Sequence, residues 1–275
     1  MDDRRIEELK AISAEVQKDT LRMVGLARSA PFDMAIAAAN LLVYLYWEEL
    51  ILIPSEPGRE DRDRFIIDIP SAAPALYAVL ARRGFFEREH LWHYRRLGAM
   101  LPALPEFGRT PGIDAPSLTV QPSAALAASL AEELAKRADK PRVVLLTSER
   151  QLASEDFIQE ARRAGGAEIP NLLMIVVSRG DGKDPASASE GEGMKMLSQM
   201  GWSVRRANSE DFQSLEEGCA SFDFTAGAPK ALFVSASGDA GLSFLDHGQA
   251  ENPHSLSMGE LDQALEELEV KSNGR

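Results

Sequence analysis

The first side chains that could do chemistry are Ser148, Glu149 and Arg150. They follow the apolar run VVLL at 143–146 and precede an amphipathic stretch from Gln151, which puts them at a strand-to-helix turn. A hydroxyl, a carboxylate and a guanidinium at such a turn could hold a small ligand. The plainer use is that Ser148 or a neighbour caps the helix. His90 and His93 stand three apart beside Glu87 and Glu89, a spacing that places both imidazoles on one helical face. Without a third ligand nearby they read as a solvated face rather than a metal site. Cys219 follows Gly218 near a helix end with no base or cation beside it, so a buried, inert thiol is expected. Arg205 and Arg206 on a short strand could meet an anion, although alternation alone turns one of them outward. His247 and His254 lie in loop-like sequence and support no site.

The elements that must position these residues follow from periodicity. Ile6, Leu9, Ile12, Val16, Met23, Val24 and Ala27 recur at helical spacing and predict a helix over 4–28. A more buried helix is expected over 35–48, stopped by IPSEPG. It is too apolar for a solvated face and belongs either to the core or to a subunit interface. RFIIDI at 64–69 reads as a strand, followed by a helix over 73–83. Residues 98–122 carry five prolines and three glycines and predict a long loop.

Beyond this loop, helices at 123–138, 151–164 and 210–218 alternate with strands at 143–146, 172–177, 203–206 and 231–235. The stretch 180–193 is rich in Gly, Ser, Asp and Ala and reads as mobile, leading into a helix through Leu197. A last amphipathic helix covers 259–270. The alternation implies an α/β fold, a parallel sheet with helices on both faces. Ligands of such sheets lie beyond the carboxyl ends of the strands, here the loops after Leu146 and Val177. The expected organisation is one domain, with a helical segment over 1–60, an α/β core over 61–245 and a tail and helix over 246–275.

Composition excludes several function classes. A formal charge of −13 and a pI near 4.9 argue against nucleic acid, where phosphate neutralisation drives binding. One cysteine excludes an internal disulfide and suits a reducing compartment. The N-terminus MDDRRIEELK lacks a secretory signal's apolar core, and Met34–Trp47 falls short of the roughly 20 residues that span a bilayer. A cytoplasmic protein without a membrane partner is expected.

Seven collinear blocks are similar to the N-terminal half of transketolases. ARSAPFDMAIAAANLLVYLY at 27–46 resembles the family's SGHPGGSLSAAEILAALY, and DRDRFIIDIPSAAPALYAVLARRGF at 61–85 resembles its block ending GHASPALYAVLA. TPGIDAPSLTV at 110–120 resembles the lead into a GSLGQG loop. RVVLLTSERQLASEDF at 142–157 takes the place of the GDGE strand, and NLLMIVVSRG at 171–180 that of NLIVIVDxN. GWSVRRANSEDF at 201–212 resembles GWxVxxVDGHDF, and GLSFLDH at 241–247 resembles GVSFMEN. Order and spacing hold over about residues 5–265.

The resemblance implies the thiamine-diphosphate-binding fold of that family, with the diphosphate held through a divalent metal and a ketol or acyl transfer as the chemistry. Mg²⁺ takes oxygen ligands in near-octahedral geometry, which an Asp and an Asn on neighbouring strand ends supply. Glycines let amides approach the phosphates, and histidines serve the substrate. Each of these positions is changed. Ser148 stands for the metal-binding Asp and Gly180 for the Asn, with Thr147 and Glu149 replacing the flanking glycines. Leu118, Gln121 and Ser123 occupy the loop's glycine positions, and Pro122 removes an amide donor. The histidine positions are Pro31, Ser71, Leu104 and Glu210.

The expectation is therefore no catalytic residue, no metal, and no cofactor, in a non-catalytic structural or regulatory subunit. Its partner would be a transketolase-type C-terminal subunit, or a second copy of itself, in a dimer or heterotetramer. The alternative is the N-terminal subunit of an active transketolase-like enzyme that moves a two-carbon ketol unit. Thiamine diphosphate and Mg would then be bound in an altered way, with Arg150, Arg179 or Lys183 holding the phosphates directly.

Overall fold

The computed structural model describes residues 1–29, 31–115, 123–180, 188–225, 227–237, 242–243 and 255–273. Helix α1, Asp3–Ala27, begins where the Asp2 carboxylate accepts from the Arg5 amide at 2.7 Å. It ends at Arg28, whose left-handed φ of 47° lets the Ser29 amide donate back to the Val24 carbonyl at 3.0 Å. The helix expected over 35–48 is broken into α2 (Asp33–Ala37), α3 (Ala39–Tyr44) and a π turn, Leu45–Glu49. The turn closes where the Leu50 amide donates to the Leu45 carbonyl at 2.8 Å. A segment apolar on every side shows no periodicity from which such breaks could be read. Leu41–Tyr46 are buried within the chain itself, which decides for core over interface.

Strand β1 (Arg64–Ile67) and helix α4 (Ala73–Arg83) follow, then α5 (Ser123–Leu134), β2 (Val143–Ser148) and α6 (Glu155–Gly165). After these come β3 (Leu172–Gly180), α7 (Ala188–Gln199), β4 (Ser203–Asn208), α8 (Phe212–Ala220), β5 (Lys230–Ser237) and α9 (Met258–Asn273). The five strands form one sheet in the order β1-β2-β3-β5-β4, every described pair parallel. Arg64 pairs with Val143, Val143 with Leu172, and Leu173 with Lys230. Residues 181–187 of the stretch read as mobile lie outside the described residues. Its end is ordered differently from expectation, because α7 already begins at Ala188.

Alternation along the strands separates two cores. Val144, Leu146, Leu173, Ile175, Val177, Leu232 and Val234 pack with α1, α3, α4 and α8. Val143, Leu145, Leu172, Met174, Val176, Ala231 and Phe233 pack with α5, α6 and α7. A third cluster seats α9 on α1, with Leu261, Ala264 and Leu268 against Leu21 and Val24. Burying such Val, Leu and Phe side chains contributes about 1.5–3 kcal/mol each. On the second face α6 meets the turn after α7 at two glycines. A Cβ on Gly165 would lie 2.0 Å from the Met200 carbonyl oxygen, and Gly201 holds φ at 95°.

Candidate functional site

The carboxyl ends of β1, β2 and β3 open on one side of the sheet, and two sequence-predicted positions lie there. Ser148 is the last residue of β2, paired with Val177, and Gly180 ends β3 beside Ser237. Ser148 caps nothing, contrary to expectation. A 3-10 turn, Glu149–Ala153, intervenes, and it is Ser154 that caps α6 by accepting from the Phe157 amide at 3.1 Å.

Sequence reading missed Asp68. RFIIDI reads as one strand, but β1 stops at Ile67 and leaves Asp68 at its mouth. The Asp68 amide donates to the Leu146 carbonyl at 2.7 Å, and its carboxylate accepts from the buried Thr147 hydroxyl at 3.3 Å. Burial pushes this carboxyl above the ordinary aspartate range, opposed by hydrogen bonds from Ser123 and Thr147. In the turn after β2, Oε1 of Glu149 is buried without a hydrogen-bond partner among the described residues. Arg150 is exposed, and Lys183 lies outside the described residues, as do the Arg179 side chain, the loop at 116–122, His247 and His254.

These strand ends do not offer the Asp–Asn pair that a Mg²⁺ clamp of the family kind needs. Ser148 brings a neutral hydroxyl, Gly180 no side chain, and Asp68 and Glu149 bring negative charge. Among the described residues no three His, Cys, Asp or Glu side chains gather as a metal site. His90 stacks edge-on against Phe86, while Nδ1 of exposed His93 lies 3.2 Å from Nη1 of Arg96.

The three positions read as replaced histidines do converge. Pro31, Ser71 and Leu104 line one cavity of about 350 Å³ together with Ser29, Tyr94 and Arg95. The chain just after α1 delivers Ser29 and Pro31, the turn after β1 delivers Ser71, and the segment after α4 delivers Tyr94, Arg95 and Leu104. Nη1 of Arg95 donates to Oγ of Ser29 at 2.7 Å, and the Tyr94 hydroxyl is hydrogen-bonded to the same serine. Burial raises the Tyr94 phenol above its ordinary range. Ser29, Tyr94 and Arg95 were not singled out from sequence, where nothing but the cationic pair RR at 95–96 marks the segment.

The remaining candidates are structural. Cys219 is buried, and desolvation pushes its thiol up to about 12, as an inert cysteine requires. Arg205 and Arg206 are both exposed on edge strand β4, one over the Phe222 ring and one against Met194.

Residues 15–148 match the family described as transketolase, thiamine diphosphate binding domain. Over this stretch the chain is similar to the transketolases. It is 24% identical over 288 positions to an apulose-4-phosphate transketolase subunit of Phocaeicola vulgatus, covering 98% of this chain and 100% of that one. It is 34% identical over 99 residues to a 6-deoxy-6-sulfo-D-fructose transketolase subunit of a Clostridium species, 36% of each chain. The Campylobacter jejuni transketolase structure superposes with a TM-score of 0.79 at 19% identity, over 99% of this chain and 44% of that one. The chain thus has the fold of the transketolase N-terminal domain, and it spans less than half the length of the solved transketolases it matches. The match also corrects the expectation of no cofactor. The matched stretch runs from α1 to the end of β2, takes in Pro31, Ser71, Leu104 and Ser148, and belongs to a thiamine-diphosphate-binding domain. Replaced clamp residues suggested a lost site, whereas residues 15–148 still match. No described helix is long and apolar enough to cross a membrane.

Proposed function

We propose that this chain is the N-terminal subunit of a two-subunit transketolase-type transferase. It would work with a C-terminal subunit and hold thiamine diphosphate otherwise than through an Asp–Asn clamp. The observation that carries this reading is the convergence of Pro31, Ser71 and Leu104, far apart in sequence, on one cavity beside the strand ends. A site abandoned by its ligand has no physical reason to keep an open, walled cavity at that place. The end-to-end similarity to a single transketolase subunit supports the split arrangement.

A second reading, a structural or regulatory partner of such an enzyme, draws on the neutral Ser148 and the unpartnered buried oxygen of Glu149. The deciding experiment purifies the chain with its candidate C-terminal partner and supplies thiamine diphosphate, Mg²⁺, a ketose donor and an aldose acceptor. Transfer of a two-carbon unit that needs both chains supports the first reading. A stable complex that transfers nothing, while an intact paralogous N-terminal subunit does, supports the second.

A further inference from the structure

The cavity has a chemical polarity of its own. At one end stands the Arg95 guanidinium, with five N–H donors in a planar fork. Among the described residues its side chain has a single hydrogen-bond partner, the neutral Ser29 hydroxyl, and no carboxylate pairs with it. Arg95 is itself exposed, so its fork stands at the cavity mouth and is open to solvent. Ser29 and Tyr94 are each 5% exposed, so the hydroxyls that flank the guanidinium are held in place by burial. The opposite walls are apolar, built from Pro31, Pro70, Pro74 and Leu104.

The backbone at this point is also held in an unfavourable conformation. Arg95 sits at φ 60°, in the left-handed region that side chains rarely adopt. Its amide donates to the Leu101 carbonyl at 2.9 Å, closing a tight loop. Backbone strain kept at a cavity rim is a mark of positioning.

We infer that this cavity binds the anionic group of a small organic acid or ester. Arg95 is the anchor, the Ser71 and Tyr94 hydroxyls are auxiliary donors, and the proline–leucine wall takes the carbon skeleton. Carboxylate, phosphate and sulfonate share the oxyanion that a guanidinium fork recognises. As a substrate subsite the inference rests on the transferase reading, whereas anion binding itself does not.

The test titrates the full chain with inorganic phosphate and with pyruvate, at constant ionic strength against chloride, followed by ¹⁵N NMR. Saturable shifts at Ser71, Tyr94 and Arg95 are expected with at least one of the two, and the tighter one identifies the source. Arg95→Gln should weaken that binding about 10–100-fold, the scale of a charge-assisted contact, with Arg95→Lys in between. Ala103→Trp, at an exposed position on the cavity rim, should block binding without disturbing the fold. Absence of saturable binding, or equal binding by Arg95→Gln with an unchanged melting curve, overturns the inference. Binding at Arg95 in a complex that transfers nothing would remove the transferase reading alone. Transfer that is indifferent to Arg95→Gln, without anion binding, would remove this inference alone.

Discussion

Arg62 and Asp114 form a two-pronged pair, with Nη1 donating to Oδ2 at 2.9 Å and Nη2 donating to Oδ1, their side chains 6% and 3% exposed. The same carboxylate accepts from the Phe65 amide at 2.9 Å. The pair thus ties the start of β1 to the far end of the segment that delivers Tyr94, Arg95 and Leu104. Removing one partner of a buried pair strands the other charge, so Asp114→Asn should destabilise the chain by about 3 kcal/mol in urea unfolding. A loss below about 1 kcal/mol would mean that water reaches Arg62.

Asp68 predicts an unusual pH dependence. Its folded-state pKa is raised above the ordinary 3.8, so the folded chain holds this proton more tightly than the unfolded one. Stability is therefore lost as pH rises from below the ordinary value through the raised one. Asp68→Asn should raise the melting temperature at pH 7 and have little effect at pH 3, where both states are protonated. An Asp68→Asn melt lower than wild type at pH 7 would refute the burial argument.

Ser148 and Gly180 can be returned to the oxygen ligands that a divalent cation prefers. Ser148→Asp combined with Gly180→Asn should tighten thiamine diphosphate binding in the presence of Mg²⁺ by at least about ten-fold. Calorimetry with and without EDTA reads it. Equal affinity in the wild type and the double variant would show that the phosphates are held away from these two strand ends.

Gly165 tests the packing of α6 against the turn that precedes β4. With a backbone oxygen 2.0 Å from any added Cβ, Gly165→Ala must move backbone rather than a side chain. A loss of about 2–3 kcal/mol is expected, toward the upper end of ordinary single substitutions. Gly191→Ala, where an added Cβ meets nothing within 4 Å, serves as the control.

Cys219, with its thiol pushed to about 12 by burial, should resist thiol reagents in the folded chain. At pH 8 ionisation alone slows labelling about a thousand-fold relative to an ordinary cysteine. Fast labelling of the native chain would place the thiol at the surface.

The sheet was legible because VVLL, LLMIVV and ALFV are uninterrupted apolar runs too short for buried helices. The three-part break of 35–48 was not, because an all-apolar helix carries no phase. Pro31, Ser71 and Leu104 could be grouped only through the resemblance, since no spacing links residues so far apart. Arg95 escaped because what sets it apart is a positive φ and a serine delivered by another helix's cap, both tertiary facts. Asp68 escaped because one residue decides whether it lies inside a strand or at its mouth.

Among the described residues β1 has β2 as its one neighbour in the sheet, and Arg64 must wait for Val143. A ribosome adding about 5–20 residues per second puts roughly 4–16 s between the emergence of the two strands. For that interval the nascent chain carries an apolar strand, FII, with both edges open. α1, α3 and α4, which pack on one another, are all available before β2 exists. The helical layer on that face of the sheet is thus also the shelter under which its first strand can wait for its partner.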